Sequence, residues 1–138
     1  MGLEDKDLTE RVIGCAMKVH RGLGAGFLES VYKNALVYEL SRAGIRVEAE
    51  QRLTVRYEDV VVGEFIADLL VEDRLIVELK ANAALTKIDE VQTVNYLAAT
   101  HHEFGLLINF GAPSLEFRRK YCKAPLSFPN PVNPVNPV

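Results

Sequence analysis

The chain has 138 residues, the usual length of one domain, and its apolar fraction of 49% and charged fraction of 25% are those of an ordinary globular protein. It holds no run of about 18 apolar residues and begins with a polar, acidic segment, which argues against a membrane span, a signal peptide and a transit peptide and predicts a cytoplasmic protein. The net charge of −3 excludes the strongly basic balance of most nonspecific nucleic-acid binders.

The first part of the chain predicts two helices. Apolar residues recur with helical spacing from Leu8 to about Arg21, until glycines between positions 22 and 26 end the pattern. A second helix is predicted from about Phe27 to Ala43, and Gly44 is a suitable residue to end it.

Three strands are predicted next. The segments Val47–Tyr57, Val60–Val71 and Leu75–Leu79 are rich in β-branched or apolar residues, and the polar turns Glu58-Asp59 and Glu72-Asp73 separate them. We therefore expect an antiparallel meander. Because the second and third strands are apolar on both faces, the sheet should be covered on both sides.

The remainder predicts one more helix and two strands. Thr86 suits the N-cap of a helix from about Lys87 to Thr100, and strands are expected at Leu106–Phe110 and Leu115–Arg119. The resulting order, α-α-β-β-β-α-β-β, predicts an α/β sandwich with a central mixed sheet flanked by helices.

The end of the chain repeats Pro-Val-Asn with a period of three residues, which is also the period of a polyproline II helix. The repeat has three readings: a ligand for a proline-recognising partner, a product of sequence slippage, or an extended disordered tail, the one we favour. We divide the chain into a domain at residues 1–124 and a disordered tail at residues 125–138, and assign the tail no function.

Asp68, Glu78 and Lys80 form the main candidate site, because they lie on adjacent predicted strands within apolar surroundings. Glu78 and Lys80 are two residues apart and should project to the same face. A carboxylate in so apolar a run needs a cation nearby, and Mg²⁺ takes carboxylate and carbonyl oxygens such as the backbone oxygen of Leu79. The alternative is an ion pair at the surface.

Two further pairs share a helix face and have structural alternatives. Glu29 and Tyr32 follow a glycine break, where an acid simply complements the helix dipole and a tyrosine can belong to the core. Gln92 and Tyr96 are four residues apart, and a solvent-facing glutamine and a core tyrosine are the ordinary interpretation.

The histidines and cysteines are interpreted as structural, because His20, His101, His102, Cys15 and Cys122 lack the spacing of a zinc site or a disulfide framework. A local basic surface would be needed for any contact with nucleic acid. The dense basic cluster comprises Arg118, Arg119, Lys120 and Lys123.

The motifs Gly26-x-x-Glu29-x-x-Tyr32, Asp68, Glu78-x-Lys80 and Gln92-x-x-x-Tyr96 occur in this order. With them, the chain resembles the GxxExxY protein family of the PD-(D/E)xK nuclease superfamily, from about Leu8 to Lys120. The resemblance implies a restriction-endonuclease-like fold with an αβββαβ core, in agreement with the order above. Ala67 stands where the superfamily name has proline, a position that carries no ligand.

The resemblance also implies roles for the candidate residues. The acids matching Asp68 and Glu78 bind the metal, Glu29 completes the site directly or indirectly, and the residue matching Lys80 assists the attacking water. Gln92 and Tyr96 match a motif of the RecB-like branch and are expected to position the substrate. Tyr32 is placed with these positioning residues.

We expect a Mg²⁺- or Mn²⁺-dependent nuclease acting on nucleic acid, with DNA favoured. The alternative is a nuclease-fold binding or accessory module with little activity of its own, which works inside a larger protein assembly. The acidic balance and the absence of a DNA-reading segment motivate this alternative. Pairing of a sheet edge would allow a homodimer, and a protein partner is expected under the alternative.

Overall fold

The computed structural model describes residues 5–123, and the predicted element order is confirmed there. The helices are α1 (Asp5–Leu23), α2 (Glu29–Arg42) and α3 (Lys87–Thr100), and the strands are β1 (Val47–Tyr57), β2 (Val60–Val71), β3 (Leu75–Lys80), β4 (Phe104–Asn109) and β5 (Glu116–Tyr121). No helix of this described part is long and apolar enough to cross a membrane. The predicted boundary at residue 124 and the Pro-Val-Asn tail lie outside it.

Most helix and strand boundaries differ by one to three residues from the sequence prediction, and two of these differences have a visible cause. Helix α2 begins at Glu29 and not at Phe27, because Leu28 is its N-cap and has an extended backbone. Strand β4 begins two residues earlier than predicted, at Phe104, since β5 pairs with it over its whole length, from Tyr121 to Glu116.

The strands form one sheet in the order β1-β2-β3-β4-β5. All neighbouring strands are antiparallel except β3 and β4, which are parallel and are joined through α3. Parallel neighbours need a crossover connection, which α3 supplies. The predicted α/β sandwich with a mixed sheet is confirmed, and β1 and β5 are its two edges.

Helices cover both faces of the sheet, as predicted. Helices α1 and α2 bury one face, where Leu8, Leu36 and Leu106 belong to a single apolar cluster. Helix α3 lies against the other face, where Leu97 and Ile76 belong to a second cluster. The candidate site therefore lies on a sheet that helices cover on both faces.

Strand β2 changes faces at Asp68. Phe65 and Ala67 belong to the α3 cluster, whereas Leu69 belongs to the cluster under α1 and α2, although regular alternation would put all three on one face. Glu50 of β1 lies opposite this break and has a left-handed backbone with a φ of 55°. The sheet is thus locally irregular where the acid of the candidate site stands.

Candidate active site

Asp68 and Glu78 lie where β2 and β3 part. The two strands are paired from Val71 and Leu75 to Leu69 and Val77, and the next pair along would be Asp68 and Glu78. There the backbone N–H of Asp68 donates to Glu78 Oε2 at 3.2 Å. The N–H of Leu79 donates to Asp68 Oδ2 at 2.8 Å. Side-chain oxygens replace the regular ladder, so both carboxylates are fixed by the backbone of the opposite strand.

Glu78 carries the strongest electrostatic signature of the site. Burial first, and then the charge of the Asp68 carboxylate, raise its pKa from 4.5 to about 8. The hydrogen bond from the Asp68 N–H and the charge of Lys80 lower the pKa only in part. Two carboxylates this close, with too little positive charge around them, favour a bound cation.

Glu29 belongs to the same electrostatic cluster. It is the first residue of α2 and follows the glycine-containing loop. Burial raises its pKa, and Asp68 adds to the rise, while Lys80 and Lys33 lower it. The structure thus brings the helix acid into the field of the strand acids, where its charge would support a cation held by them.

Lys80 lies between the acids and the start of α3. Its Nζ is 3.9 Å from Asp89 Oδ1, and its side chain is 31% exposed. Asp89 is itself fixed, because its other oxygen accepts a hydrogen bond from the N–H of Thr86 at 3.0 Å in a capping box. Asp89 was not among the predicted site residues, although an acid in the first helical turn was noticeable in the sequence.

Tyr32 is fully buried and orders the loop before Glu29. Its hydroxyl donates to the carbonyl of Gly24 at 2.5 Å and accepts from the N–H of Phe27 at 3.1 Å, and its ring stacks on Phe110. The position matches the core interpretation considered above. Any part that Tyr32 takes in the site is therefore indirect, through the loop that places Glu29.

Gln92 and Tyr96 lie on α3. Gln92 is exposed, and Tyr96 is half-buried with its ring stacked on Phe65 at a centroid distance of 3.9 Å. Within the described chain, no hydrogen bond joins either side chain to the carboxylates. A substrate-positioning role for them stays a prediction.

Lys33 and Glu50 were missed from the sequence. Lys33 follows Glu29 by one turn of α2, and its Nζ donates to Glu50 Oε2 at 2.6 Å. The bond to Glu50 raises the pKa of Lys33, and the charges of Asp68 and Glu29 act in the same direction. The four-residue spacing of Glu29 and Lys33 was the available sequence signal.

Asn109 was also missed, and it holds the loop between β3 and α3. It is fully buried, and its Oδ1 accepts from the N–H groups of Asn82 and Gly111. Its Nδ2 donates to the carbonyl of Asn82 and to Glu116 Oε1. The backbone at Gly111 approaches the backbone at Asn82 closely, because a Cβ on Gly111 would lie 2.3 Å from the Asn82 carbonyl oxygen. This loop carries the chain from Lys80 to α3.

The predicted basic cluster is largely engaged within the protein. Lys120 and Arg118 both pair with Glu90 of α3. Arg119 lies over the ring of Phe117 and donates to the hydroxyl of Thr9 at 3.5 Å. The β5 strand therefore offers less unpaired positive charge than its sequence suggests.

The donor set fits a hard divalent cation. Mg²⁺ in proteins is commonly held by one or two carboxylates and keeps several waters, which matches the pair Asp68 and Glu78. The raised pKa of Glu78 indicates uncompensated negative charge at this point. Within residues 5–123, however, no group of three or more His, Cys, Asp or Glu side chains is arranged to hold a metal, so Glu29 is not a formed third ligand.

Comparison with known proteins identifies a family and a fold. The family model of the PD-(D/E)XK nuclease superfamily matches residues 6–120. The crystal structure of SSO0001 is similar to this chain with a TM-score of 0.51 and 18% sequence identity, which bears on the fold alone. The similarity covers 67% of this chain and 49% of that one, so this chain spans about half the length of the protein it matches. No curated protein matches the chain. The family match and the mixed sheet confirm the restriction-endonuclease-like fold.

Proposed function

This chain belongs to the PD-(D/E)XK nuclease superfamily, and we propose on that premise that it is a Mg²⁺- or Mn²⁺-dependent nuclease that hydrolyses phosphodiester bonds, with DNA as the favoured substrate. The observation that carries the proposal is the carboxylate pair at the parting of β2 and β3. Asp68 and Glu78 are each fixed by a backbone N–H of the other strand, with Lys80 beside them. We assign this activity to a domain at residues 1–124.

Asp68 and Glu78 are the proposed metal ligands, with the backbone carbonyl of Leu79 as a third oxygen and Glu29 in support, directly or through water. A bound divalent metal would lower the pKa of a water molecule and offset charge on the phosphate. The chain itself supplies the preorganisation: the two acids are held in place before any ligand arrives, so little rearrangement opposes binding.

Lys80 is the proposed catalytic lysine. Its ammonium group would orient the attacking water and stabilise the negative charge that develops on the phosphate. Asp89, 3.9 Å away, holds the charged lysine at the start of α3. Gln92 and Tyr96 would position the substrate from the same helix, and Tyr32 would act indirectly by ordering the loop before Glu29.

The alternative function is that of a nuclease-fold accessory module inside a larger assembly. The pairing of Lys120 and Arg118 with Glu90 favours it, because two cations of the basic cluster are then already engaged in a protein whose net charge is −3. A protein partner or a second copy could contact an edge strand of the sheet, β1 or β5. The free thiols of Cys15 and Cys122 suit a reducing cytoplasm.

The nuclease proposal is tested by incubating the protein with linear, nicked, single-stranded and branched DNA and with RNA, each with Mn²⁺ and with EDTA. We expect metal-dependent cleavage of at least one substrate and a loss of about 100-fold or more in Lys80→Ala, the usual effect of removing a group that stabilises transition-state charge. Lys18→Ala is the matched control, because Lys18 pairs with Glu39 on the surface of α1 and α2.

Thermal unfolding of each variant verifies that the fold is intact. Survival of every substrate with Mn²⁺ would contradict the nuclease proposal and favour the accessory module. Cleavage by Lys80→Ala at the wild-type rate would contradict the assignment of the lysine.

A further inference from the structure

Lys33, on α2, lies within reach of the charges of Asp68 and Glu29, whereas Lys80 comes from β3. It shares a helix face with Glu29, one turn earlier. Its side chain is only 16% exposed and donates to Glu50, whose own side chain is 64% exposed. The lysine is therefore held close to the protein by an acid that faces solvent.

Glu50 lies directly opposite Asp68 in the sheet. Its neighbours Ala49 and Gln51 pair with Leu69 and Ala67, so Glu50 stands across from the acid of the site. Its φ of 55° is in the left-handed region, which is unfavourable for a residue with a side chain. Such backbone strain concentrates at functional sites, and here it accompanies an ion pair beside Asp68.

Stability alone does not account for this arrangement. An ion pair with an exposed partner contributes little to folding, and a left-handed glutamate within a strand opposes it. Positive charge near the carboxylates has a clearer use, since Glu29 and Asp68 both act on Lys33 through their charge. A nucleic-acid backbone approaching these acids would be repelled unless cations lay beside them.

We propose that Lys33 is a substrate-binding residue that takes a backbone phosphate of the nucleic acid, and that Glu50 holds the lysine in place and competes with that phosphate. This inference rests on the proposed nuclease function and adds a second lysine to its site. Lys33 binds as a compact point charge with three donors, which suits a phosphate of any sequence. Recognition at this position is therefore of the backbone and not of the bases.

The test compares two substitutions, one in each partner of the ion pair, that should change the affinity for DNA in opposite directions. Binding of a short fluorescein-labelled single-stranded DNA and of its duplex is measured by anisotropy, in EDTA and at several salt concentrations. Lys33→Ala should weaken binding about three- to tenfold and reduce the slope of log affinity against log salt by about 1. Glu50→Gln should tighten binding, because it releases Lys33 and removes a negative charge.

The double variant completes the cycle. If Glu50 acts through Lys33, the gain from Glu50→Gln should shrink markedly in the Lys33→Ala background. Lys18→Ala is the matched control, since it removes the same charge from an ion pair with Glu39 elsewhere on α1 and α2. Lys33→Gln, which keeps most of the side-chain stem, serves as a second variant if Lys33→Ala fails to fold.

A purely structural ion pair would give a different pattern. The gain from Glu50→Gln would then persist in full in the Lys33→Ala background, and that result would overturn the inference, as would an equal loss in Lys18→Ala. Wild-type protein that binds and cleaves DNA, with Lys33→Ala unchanged, would overturn the role of Lys33 alone. Failure of the wild type to bind either probe in EDTA would overturn the role of Lys33, whereas the nuclease proposal is contradicted only when every substrate survives with Mn²⁺.

Discussion

Asp68 and Glu78 illustrate how two acids are accommodated within an apolar sheet. Each accepts a hydrogen bond from a backbone N–H at the point where the strand ladder ends. The N–H groups of Asp68 and Leu79 therefore both have an acceptor. The compensation is incomplete, since burial and Asp68 raise the pKa of Glu78 to about 8. Burial of this carboxylate therefore opposes folding at the pH values where Glu78 is ionised.

The pKa of Glu78 predicts a pH dependence of folding in the absence of divalent metal. The folded protein binds a proton at Glu78 up to a pH of about 8, whereas the unfolded chain releases it near the ordinary value of 4.5. The folded state therefore binds more protons in that interval, and its free energy of unfolding should fall as pH rises from about 4.5 to about 8. Above that the Glu78 contribution is constant, at most about 5 kcal/mol.

Glu78→Gln removes this titration while keeping the shape of the side chain. Urea unfolding in EDTA at a series of pH values should show that the variant gains stability relative to wild type as pH rises through this interval. The difference between the two proteins isolates Glu78, because other shifted groups such as Glu29 and His102 are common to both. A difference that does not change between pH 5 and 9 would contradict the burial of a charged Glu78.

At the scale of elements, the connection from β3 to α3 decides how the site is assembled. The loop carries the chain from Lys80 to the capping box of Thr86 and Asp89. Asn109 fixes its beginning at Asn82, and Glu116 accepts from the N–H of Leu85 near its end. Lys80 and helix α3 are thus connected by a loop that Asn109 and Glu116 hold through hydrogen bonds, and we call these two residues the clamp.

Asn109→Ala should destabilise the protein by about 2 to 3 kcal/mol, because it leaves the part-buried N–H groups of Asn82 and Gly111 without their acceptor and removes one of the two donors to Glu116 Oε1. Urea unfolding at neutral pH measures the loss. Asn95→Ala on the exposed face of α3 is the matched control and should change stability by less than about 0.5 kcal/mol. Equal effects of the two substitutions would show that the clamp is not a special feature.

The sequence predicted the helices and strands because their signals are local. Apolar spacing marked α1, and the polar turns at Glu58-Asp59 and Glu72-Asp73 separated the strands of the meander. These turns do contain residues with positive φ, as their position between strands requires. The beginning of α2 was misjudged because Phe27 is apolar and continues the helical pattern, whereas the backbone turns helical only at Glu29.

The features that escaped prediction depend on contacts between distant parts of the chain. The residues before and after Glu50 in the sequence do not indicate a left-handed backbone. This conformation occurs where β1 pairs with β2 opposite Asp68, a contact between distant parts of the chain. Asn109 reads as the polar end of a buried strand until its partners at Asn82 and Glu116 are known. The sequence named the acids and Lys80, but not the residues that hold them in place.

At the scale of the whole molecule, the distribution of charge matters more than the total of −3. Strand β5 carries its basic residues at an edge of the sheet, where nucleic acid could reach them. Glu90 pairs with two of them, Lys120 and Arg118, and these cations hold the pKa of Glu90 below its usual value. Glu90 therefore engages two of the cations that β5 would otherwise offer to nucleic acid.

Glu90→Gln should release this strand and increase the affinity for duplex DNA in EDTA, with a steeper dependence on salt, because Lys120 and Arg118 become available to phosphates. The cost in stability should be small, since an ion pair near the surface contributes little to folding. Glu39→Gln is the control, because it makes the same change in net charge where Glu39 pairs with Lys18. Anisotropy titrations at several salt concentrations measure the effect. An equal gain in both variants would mean that net charge alone limits binding, and no gain in either would mean that β5 lies outside the nucleic-acid surface.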